Sequence, residues 1–233
     1  MNIVITGATK GIGRAVAEKF ASEGCQIAVC ARSAKDLEEL KAAFGNAWPD
    51  VEVLTMPVDV RRKEELAAFA KFIIAHWEKV DALVNNAGIF IPGAIHEEVD
   101  GNLEKLIETN LYSAYYLTRA LLPRMLPYRS GHIFNICSIA SITPYPNGGS
   151  YSISKYALLG FSKCLREELK EKGIRVTAIL PGATWSDSWR GVELPEDRLM
   201  LASDIALAVW SAWQMSPSAV VEDIVLRPQL GDL

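Results

Sequence analysis

The chain predicts an α/β fold: a doubly wound parallel sheet of about seven strands with helices on both faces. Three observations carry this expectation. Short β-branched runs alternate with longer stretches of helical period from one end of the sequence to the other. Several of the runs (IVI, IAVC, ALV and VTAIL) are almost continuously apolar, as strands buried on both faces of a parallel sheet must be. A glycine-rich turn follows the first run. A length of 233 residues, 50% of them hydrophobic, fills one such domain and not comfortably two, so 1–233 is expected to be a single unit.

The expected strands, in order, are Asn2–Thr6, Gln26–Ala31, Val51–Met56, Val80–Asn85, His132–Ser138, Arg175–Leu180 and Val220–Leu226. Between them lie segments of helical period at Gly11–Glu23, Lys35–Phe44, Lys63–His76, Leu103–Met125, Ser150–Lys172 and Ala202–Met215. Ser33 suits the N-cap of the second, and Gly24 and Gly173 suit helix stops. Pro123 is expected to end or kink the fourth, whose span is long enough for two helices. In a sheet of this kind ligands bind at the carboxyl ends of the strands.

The first such edge carries Thr6-Gly7-Ala8-Thr9-Lys10-Gly11-Ile12-Gly13. Backbone amides at Gly7, Thr9, Lys10, Gly11, Ile12 and Gly13 open a helix and are placed to receive a diphosphate. The spacing G-x-x-x-G-x-G is one residue longer than the common dinucleotide fingerprint, and alone it marks a structural turn as readily as a binding site. A lysine is unexpected there, because the start of a helix disfavours a cation. At the end of the second strand, where a carboxylate would receive a free ribose 2′-hydroxyl, stand Ala31, Arg32 and Ser33. Two cations, Lys10 and Arg32, converging on one dianion would account for the lysine; the anion that fits is the 2′-phosphate of NADP(H). The plainer alternative is a pair of solvated surface charges.

Tyr151 and Lys155, in YSISK, lie one turn apart on one helix face. A tyrosine with a pKa of about 10 carries protons poorly at neutral pH, and an ammonium beside it stabilises the phenolate and lowers that value. Pro146-Asn147-Gly148-Gly149-Ser150 reads as a turn closing in an N-cap, which puts Tyr151 in the first turn. Tyr-x-x-x-Lys alone arises by chance on amphipathic helices. Here it is joined by Ser138, at the end of the fifth strand, whose hydroxyl would meet a substrate oxygen. Asn86, Ala87 and Gly88 follow the fourth strand, where a backbone can come close to a cofactor. Asn110 sits inside an apolar helix, where an amide needs a partner or a role.

Together TGATKGIG, PVDV, NNAG, the Asn110 helix, Ser138, YSISK and Pro181-Gly182 resemble the short-chain dehydrogenase/reductase family, over nearly the whole chain and in its compact, Rossmann-type form. The resemblance implies a catalytic tetrad of Asn110, Ser138, Tyr151 and Lys155. Tyr151 would be the general acid/base, Ser138 would orient the carbonyl, and Lys155 would lower the tyrosine pKa and bind the nicotinamide ribose. Asn110 would hold a water in a proton relay. It further implies Asp59 and Val60 beside the adenine, Asn86 and Ala87 on the ribose side, and Pro181, Gly182, Thr184 and Ser186 at the nicotinamide end. A homotetramer or homodimer built on the helices around Leu103–Met125 and Ser150–Lys172 would follow, with Tyr112, Tyr115, Tyr116 and Phe161 supplying apolar surface.

Two departures stand out. The segment after Pro181-Gly182, a substrate lid at Ala183–Leu199, is short, and the C-terminus lacks the glycine-rich ending of the ketoacyl-carrier-protein reductases. The ending looks closer to the pterin- and small-carbonyl-reducing members. Within the lid, Trp185 and Trp189 would either face an aromatic substrate or anchor the loop. The activity implied is NADPH-dependent reduction of a ketone or aldehyde, a small-molecule carbonyl; a non-catalytic NADP(H)-binding sensor is the competing class.

Composition narrows the alternatives. A net charge of -4 provides no basic stripe for nucleic acid. No apolar run is long enough for a membrane span, and MNIVIT enters a strand directly, so a cytoplasmic location is expected. Cys25, Cys30, Cys137 and Cys164 form no C-x-x-C pair and are expected as buried thiols; His76, His96 and His132 are scattered, so no metal is expected.

Overall fold

A computed structural model describes residues 1–186 and 191–232. Seven strands form one sheet, all parallel, in the order β3-β2-β1-β4-β5-β6-β7. They are β1 (Asn2–Thr6), β2 (Gln26–Ala31), β3 (Val53–Pro57), β4 (Ala82–Asn85), β5 (Gly131–Ile136), β6 (Ile174–Pro181) and β7 (Asp223–Leu226). The helices are α1 (Gly11–Ser22), α2 (Ala34–Ala47), α3 (Lys63–His76), α4 (Asn102–Ile107), α5 (Ser113–Leu121), α6 (Gly149–Leu169) and α7 (Ala202–Trp213).

Side chains alternate along each strand and feed two separate cores. Ile3, Ile5, Ile27, Val29 and Phe134 pack with Val16, Phe20, Leu40 and Val209 of α1, α2 and α7. Val4, Ala28, Leu83 and Ile133 pack on the other face with Leu66, Phe69, Leu117 and Leu165 of α3, α5 and α6. Both faces are therefore covered by helices, which accounts for the uninterrupted apolar runs. Chain order reverses between β1 and β4, and a crevice opens at the carboxyl edge beside that switch point.

The expected elements are present, with shifted ends. Val51, Val80, Cys137, Ser138 and Val220 lie outside the strands expected to hold them, while β6 runs on to Pro181. The Ser33 hydroxyl caps α2 by accepting the Asp36 N–H at 3.1 Å, and Gly24 and Gly173 take positive φ angles of 77° and 74°. The long fourth helix is interrupted by a π turn at Glu108–Tyr112, and Pro123 falls in a 3-10 turn after α5. Ser150 is not the N-cap of α6: the helix starts at Gly149, so Ser150 is already within its first turn.

Candidate active site

The crevice is a cleft of about 710 Å³ whose walls are the loops after β1, β2, β3 and β4. Thr6 ties two of these together, its hydroxyl accepting the N–H groups of Asn86 at 3.1 Å and Ala87 at 2.9 Å. Asn86 answers with its own amide, donating to the carbonyls of Thr6 and Gly7, both at 2.9 Å. The glycines are needed here for room. A Cβ on Gly7 would stand 3.0 Å from Ala87 Cα, and Gly7 has a φ of +66°. A Cβ on Gly13 would run into Asn86 Nδ2 and stand 2.5 Å from Gly7 O. Gly11 is different: a Cβ there would meet only Ser186 Cβ, at 3.7 Å, and what favours glycine is its φ of +54°.

The charges sit at the far end, over β2 and β3. Lys10 makes an ion pair with Asp36 at 3.7 Å, and Arg32 is exposed on the cleft wall. Arg61 reaches both carboxylate oxygens of Asp59, with its Nη2 2.6 Å from Oδ2. That guanidinium, with weaker help from Arg32, holds the Asp59 carboxyl below its usual range.

The second cluster lies where the loop after β5 meets α6. Ser138 follows β5 and opens a 3-10 turn, its hydroxyl accepting the Ala140 N–H at 3.1 Å. Burial pushes the Tyr151 phenol upward; a hydrogen bond from Ser138 pulls it part of the way back, and the Cys137 thiol adds to the rise. This is the opposite direction from the one expected of a tyrosine beside an ammonium, because burial of the phenol is the largest effect on it. The Lys155 ammonium donates to Ile136 O at 2.9 Å and stands over the Tyr151 ring, 5.9 Å from its centre. Burial also lowers Lys155 itself, to about 8. Phe90 meets Tyr151 edge to face at 4.9 Å between ring centres. Burial takes the nearby Tyr145 phenol to about 12, and the Tyr151 phenol adds to that rise.

Asn110, in the π turn, is buried and fully engaged. Its Oδ1 accepts the Ile89 N–H at 2.8 Å, and its Nδ2 donates to Ile89 O at 3.0 Å and Ser154 Oγ at 2.9 Å. The side chain thus clamps the loop after β4 to α6. Gly88 is the junction of the two clusters, since a Cβ there would stand 3.2 Å from Asn110 Oδ1 and 3.6 Å from Lys155 Nζ.

Of the residues singled out for the cofactor, Gly7, Thr9, Lys10, Gly11, Ile12, Arg32, Asp59, Val60, Asn86, Ala87, Gly88 and Ser186 line the cleft. Gly13 lies behind it, packed on Asn86. Tyr151 and Lys155 sit beyond Gly88, in the second cluster. Pro181, Gly182 and Thr184 also lie off the cleft wall: Gly182 N–H donates to Leu226 O at 2.7 Å, and the Thr184 hydroxyl to Gly182 O at 3.0 Å. Trp185 is half-buried and tied back by its N–H to Met200 O at 2.9 Å; Trp189 falls outside the described residues. Cys25, Cys30 and Cys137 are buried free thiols, whereas Cys164 is exposed, because its α6 position faces away from the sheet.

Sequence reasoning missed Arg61, Lys105 and Thr109 on the cleft wall, and Phe90 and Tyr145 beside Tyr151. Arg61 was within reach, since it directly follows PVDV at a sheet edge already assigned to the ligand.

Comparison with known proteins agrees with this layout. Residues 1–196 match the model of the short chain dehydrogenase family. A sepiapterin reductase of Chlorobaculum tepidum is 32% identical over 99% of this chain and 97% of its own. An NADP-dependent 3-hydroxy acid dehydrogenase of Salmonella typhi is 32% identical over 98% of this chain and 95% of its own. Among solved structures, an alcohol dehydrogenase of the archaeon Thermococcus sibiricus, complexed with 5-hydroxy-NADP, superimposes with a TM-score of 0.90. It is 28% identical and covers 98% of this chain and 96% of its own.

Proposed function

The chain belongs to the short-chain dehydrogenase/reductase family and is an oxidoreductase acting on CH–OH or carbonyl groups, and from that premise we propose that it is an NADPH-dependent reductase of a ketone or aldehyde. The observation that carries the reading is the junction at Gly88, where the large cleft meets Asn110 and Lys155, with Tyr151 one turn back along α6 and its ring under the Lys155 ammonium. The cleft suits a dinucleotide. Gly7 and Gly13 leave space where a Cβ would crowd the turn, and backbone amides open α1 at the end meant for a diphosphate. Lys10, Arg32 and Arg61 stand around the ribose end, and three cations against Asp36 and Asp59 favour a 2′-phosphate.

When bound, NADPH supplies the hydride for the carbonyl carbon. The protein's part is to hold that carbon and to protonate its oxygen. A phenol kept above its usual pKa is protonated at neutral pH, as an acid in the reducing direction must be. Ser138 shares its hydrogen bond with the carbonyl oxygen and sets it against Tyr151. Lys155 lies beside Tyr151 and Gly88, where its ammonium can reach the nicotinamide ribose and stabilise the phenolate left behind. Asn110 acts by clamping Ile89, which fixes the loop between cofactor and substrate.

The same reading includes a homodimer or homotetramer in the cytoplasm. Of the four aromatics expected at such an interface, Tyr112 and Tyr115 are exposed while Tyr116 and Phe161 pack partly against the core; Ile153 and Tyr156 on α6 are exposed beside them, an apolar surface that a second copy would cover. Light scattering at micromolar concentration tests this, and a monomer would refute it. The activity is tested by following reduced-nicotinamide absorbance with NADPH and NADH across diketones, quinones and pterins. The expected result is turnover on at least one compound with NADPH preferred; nicotinamide binding without any turnover would support a sensor instead.

A further inference from the structure

We propose that Glu98 is a positioning residue for the reacting centre: its carboxylate latches the segment after β4 onto the first turn of α6 and thereby holds Phe90 against Tyr151. The effect on turnover rests on the reading of Tyr151 as proton donor; the latch does not.

The first amides of a helix have no intrahelical partners and need acceptors from elsewhere. In α6 the N-cap is Gly148, which has no side chain to offer, and Ser150 is already inside the helix. The acceptor comes from 52 residues away, where Glu98 Oε1 receives the Ser150 N–H at 2.8 Å and Oε2 receives the Ser150 hydroxyl. A carboxylate is the favoured charge at that end of a helix. The seat is shaped for it. A Cβ on Gly149 would stand 2.5 Å from Glu98 Oε1, and one on Gly93 would stand 2.6 Å from Glu98 Cγ. Beside it the Gly93 N–H donates to Asn147 O at 2.8 Å, in a parallel bridge between Gly93 and Gly148.

Phe90 lies between two attachments. Upstream, Asn110 grips both polar groups of the Ile89 backbone; downstream, Glu98 and the glycine bridge fasten the segment to α6. Phe90 is 41% exposed, so burial alone does not hold it on Tyr151. Removing the carboxylate leaves the Gly93–Asn147 bond as the hydrogen bond tying the segment downstream among the described residues. Phe90, packed edge to face on the Tyr151 ring, then loses its fixed place, and the Tyr151 phenol its alignment to the carbonyl. The cofactor cleft, whose walls end at Ile89 on this loop, is not disturbed.

The test compares Glu98→Ala, Glu98→Asp, Glu98→Gln and Ser150→Ala in the full chain, by amide hydrogen exchange over 89–101 and 149–152, by NADPH titration, and by steady-state kinetics with an aromatic 1,2-diketone. Alanine and the shorter aspartate should both speed exchange at the Ser150 amide and through the segment. Both should lower kcat/KM by about tenfold or more, through kcat as well as KM, with the NADPH Kd unchanged. Glutamine still accepts the Ser150 N–H and should restore most of the activity, and Ser150→Ala, which keeps that bond, should lose far less than Glu98→Ala. Unchanged exchange in both disruptive variants overturns the latch; faster exchange with parental kcat/KM overturns the positioning role. A wild-type protein that turns over no carbonyl refutes the proposed function, and the exchange arm then decides the latch by itself.

Discussion

Gly13→Ala is a demanding test of how the cleft is built, because the new methyl has nowhere to go. Its Cβ would run into Asn86 Nδ2 and lie 2.5 Å from the carbonyl oxygen of Gly7. One neighbour is backbone and cannot swing aside; the other is an amide already bonded to Thr6 O and Gly7 O at 2.9 Å each. Overpacking of this kind costs about 1–3 kcal/mol, and displacing the Asn86 amide loses two hydrogen bonds at about 1 kcal/mol each. Alanine's better helix propensity returns about 1 kcal/mol. The expected net loss is about 2–4 kcal/mol in urea unfolding with an unchanged m-value. Because Gly7 moves with Asn86, NADPH affinity by fluorescence titration should fall by about tenfold, about 1.4 kcal/mol. Adding Asn86→Ala should relieve the clash, so that the double variant is less destabilised than the two single losses summed. A Gly13→Ala protein within about 0.5 kcal/mol of the parent, with parental NADPH affinity, would refute the reasoning.

Three further outcomes are expected. Arg32→Asp should weaken NADPH by about two orders of magnitude in titration and NADH far less, since a charge-assisted contact to the 2′-phosphate becomes repulsive. Asn110→Ala leaves both polar groups of Ile89 and the Ser154 hydroxyl without their partner, which should cost about 2–4 kcal/mol in urea unfolding. Lys155→Met should abolish turnover yet stabilise the fold at neutral pH. Burial lowers the lysine from 10.5 to about 8, so its charged form opposes folding at low pH. Between those values the unfolded chain binds a proton that the native chain does not, and wild-type stability rises with pH relative to the variant. A shift of this size corresponds to roughly 3 kcal/mol, less about 1 kcal/mol for the lost bond to Ile136 O. The variant's advantage should therefore be largest below pH 8 and shrink toward pH 10, as read by paired urea curves.

Local pattern carried much of this structure into view. Continuous apolar runs identify the strands because a sheet covered on both sides has no polar face, and Ser33, Gly24 and Gly173 mark helix ends through their own backbone and side-chain chemistry. The glycine turn, NNAG and YSISK were legible for the same reason: their spacing sets local geometry. What escaped depends on distant partners. The π turn around Asn110 shifts a hydrogen-bond register without any residue type that announces it. The α6 cap comes from Glu98, an acidic residue in a loop with no local reason to point there. The bond of Lys155 to Ile136 O depends on a partner 19 residues away, and the raised Tyr151 phenol follows from burial that no spacing encodes. Ser150 was read as a cap because the sequence offers it in the right place; the helix starts one residue earlier and uses it differently.

The central claim is that Tyr151 is the proton donor of an NADPH-dependent carbonyl reduction, and Tyr151→Phe tests it most directly. The phenyl ring keeps the edge-to-face contact with Phe90 and loses only the hydroxyl that meets Ser138. At saturating NADPH and carbonyl compound, kcat should fall by about two orders of magnitude or more while the NADPH Kd stays at the parental value. A kcat within about threefold of the parent would contradict the account, because a general acid at the reacting oxygen is worth far more than that.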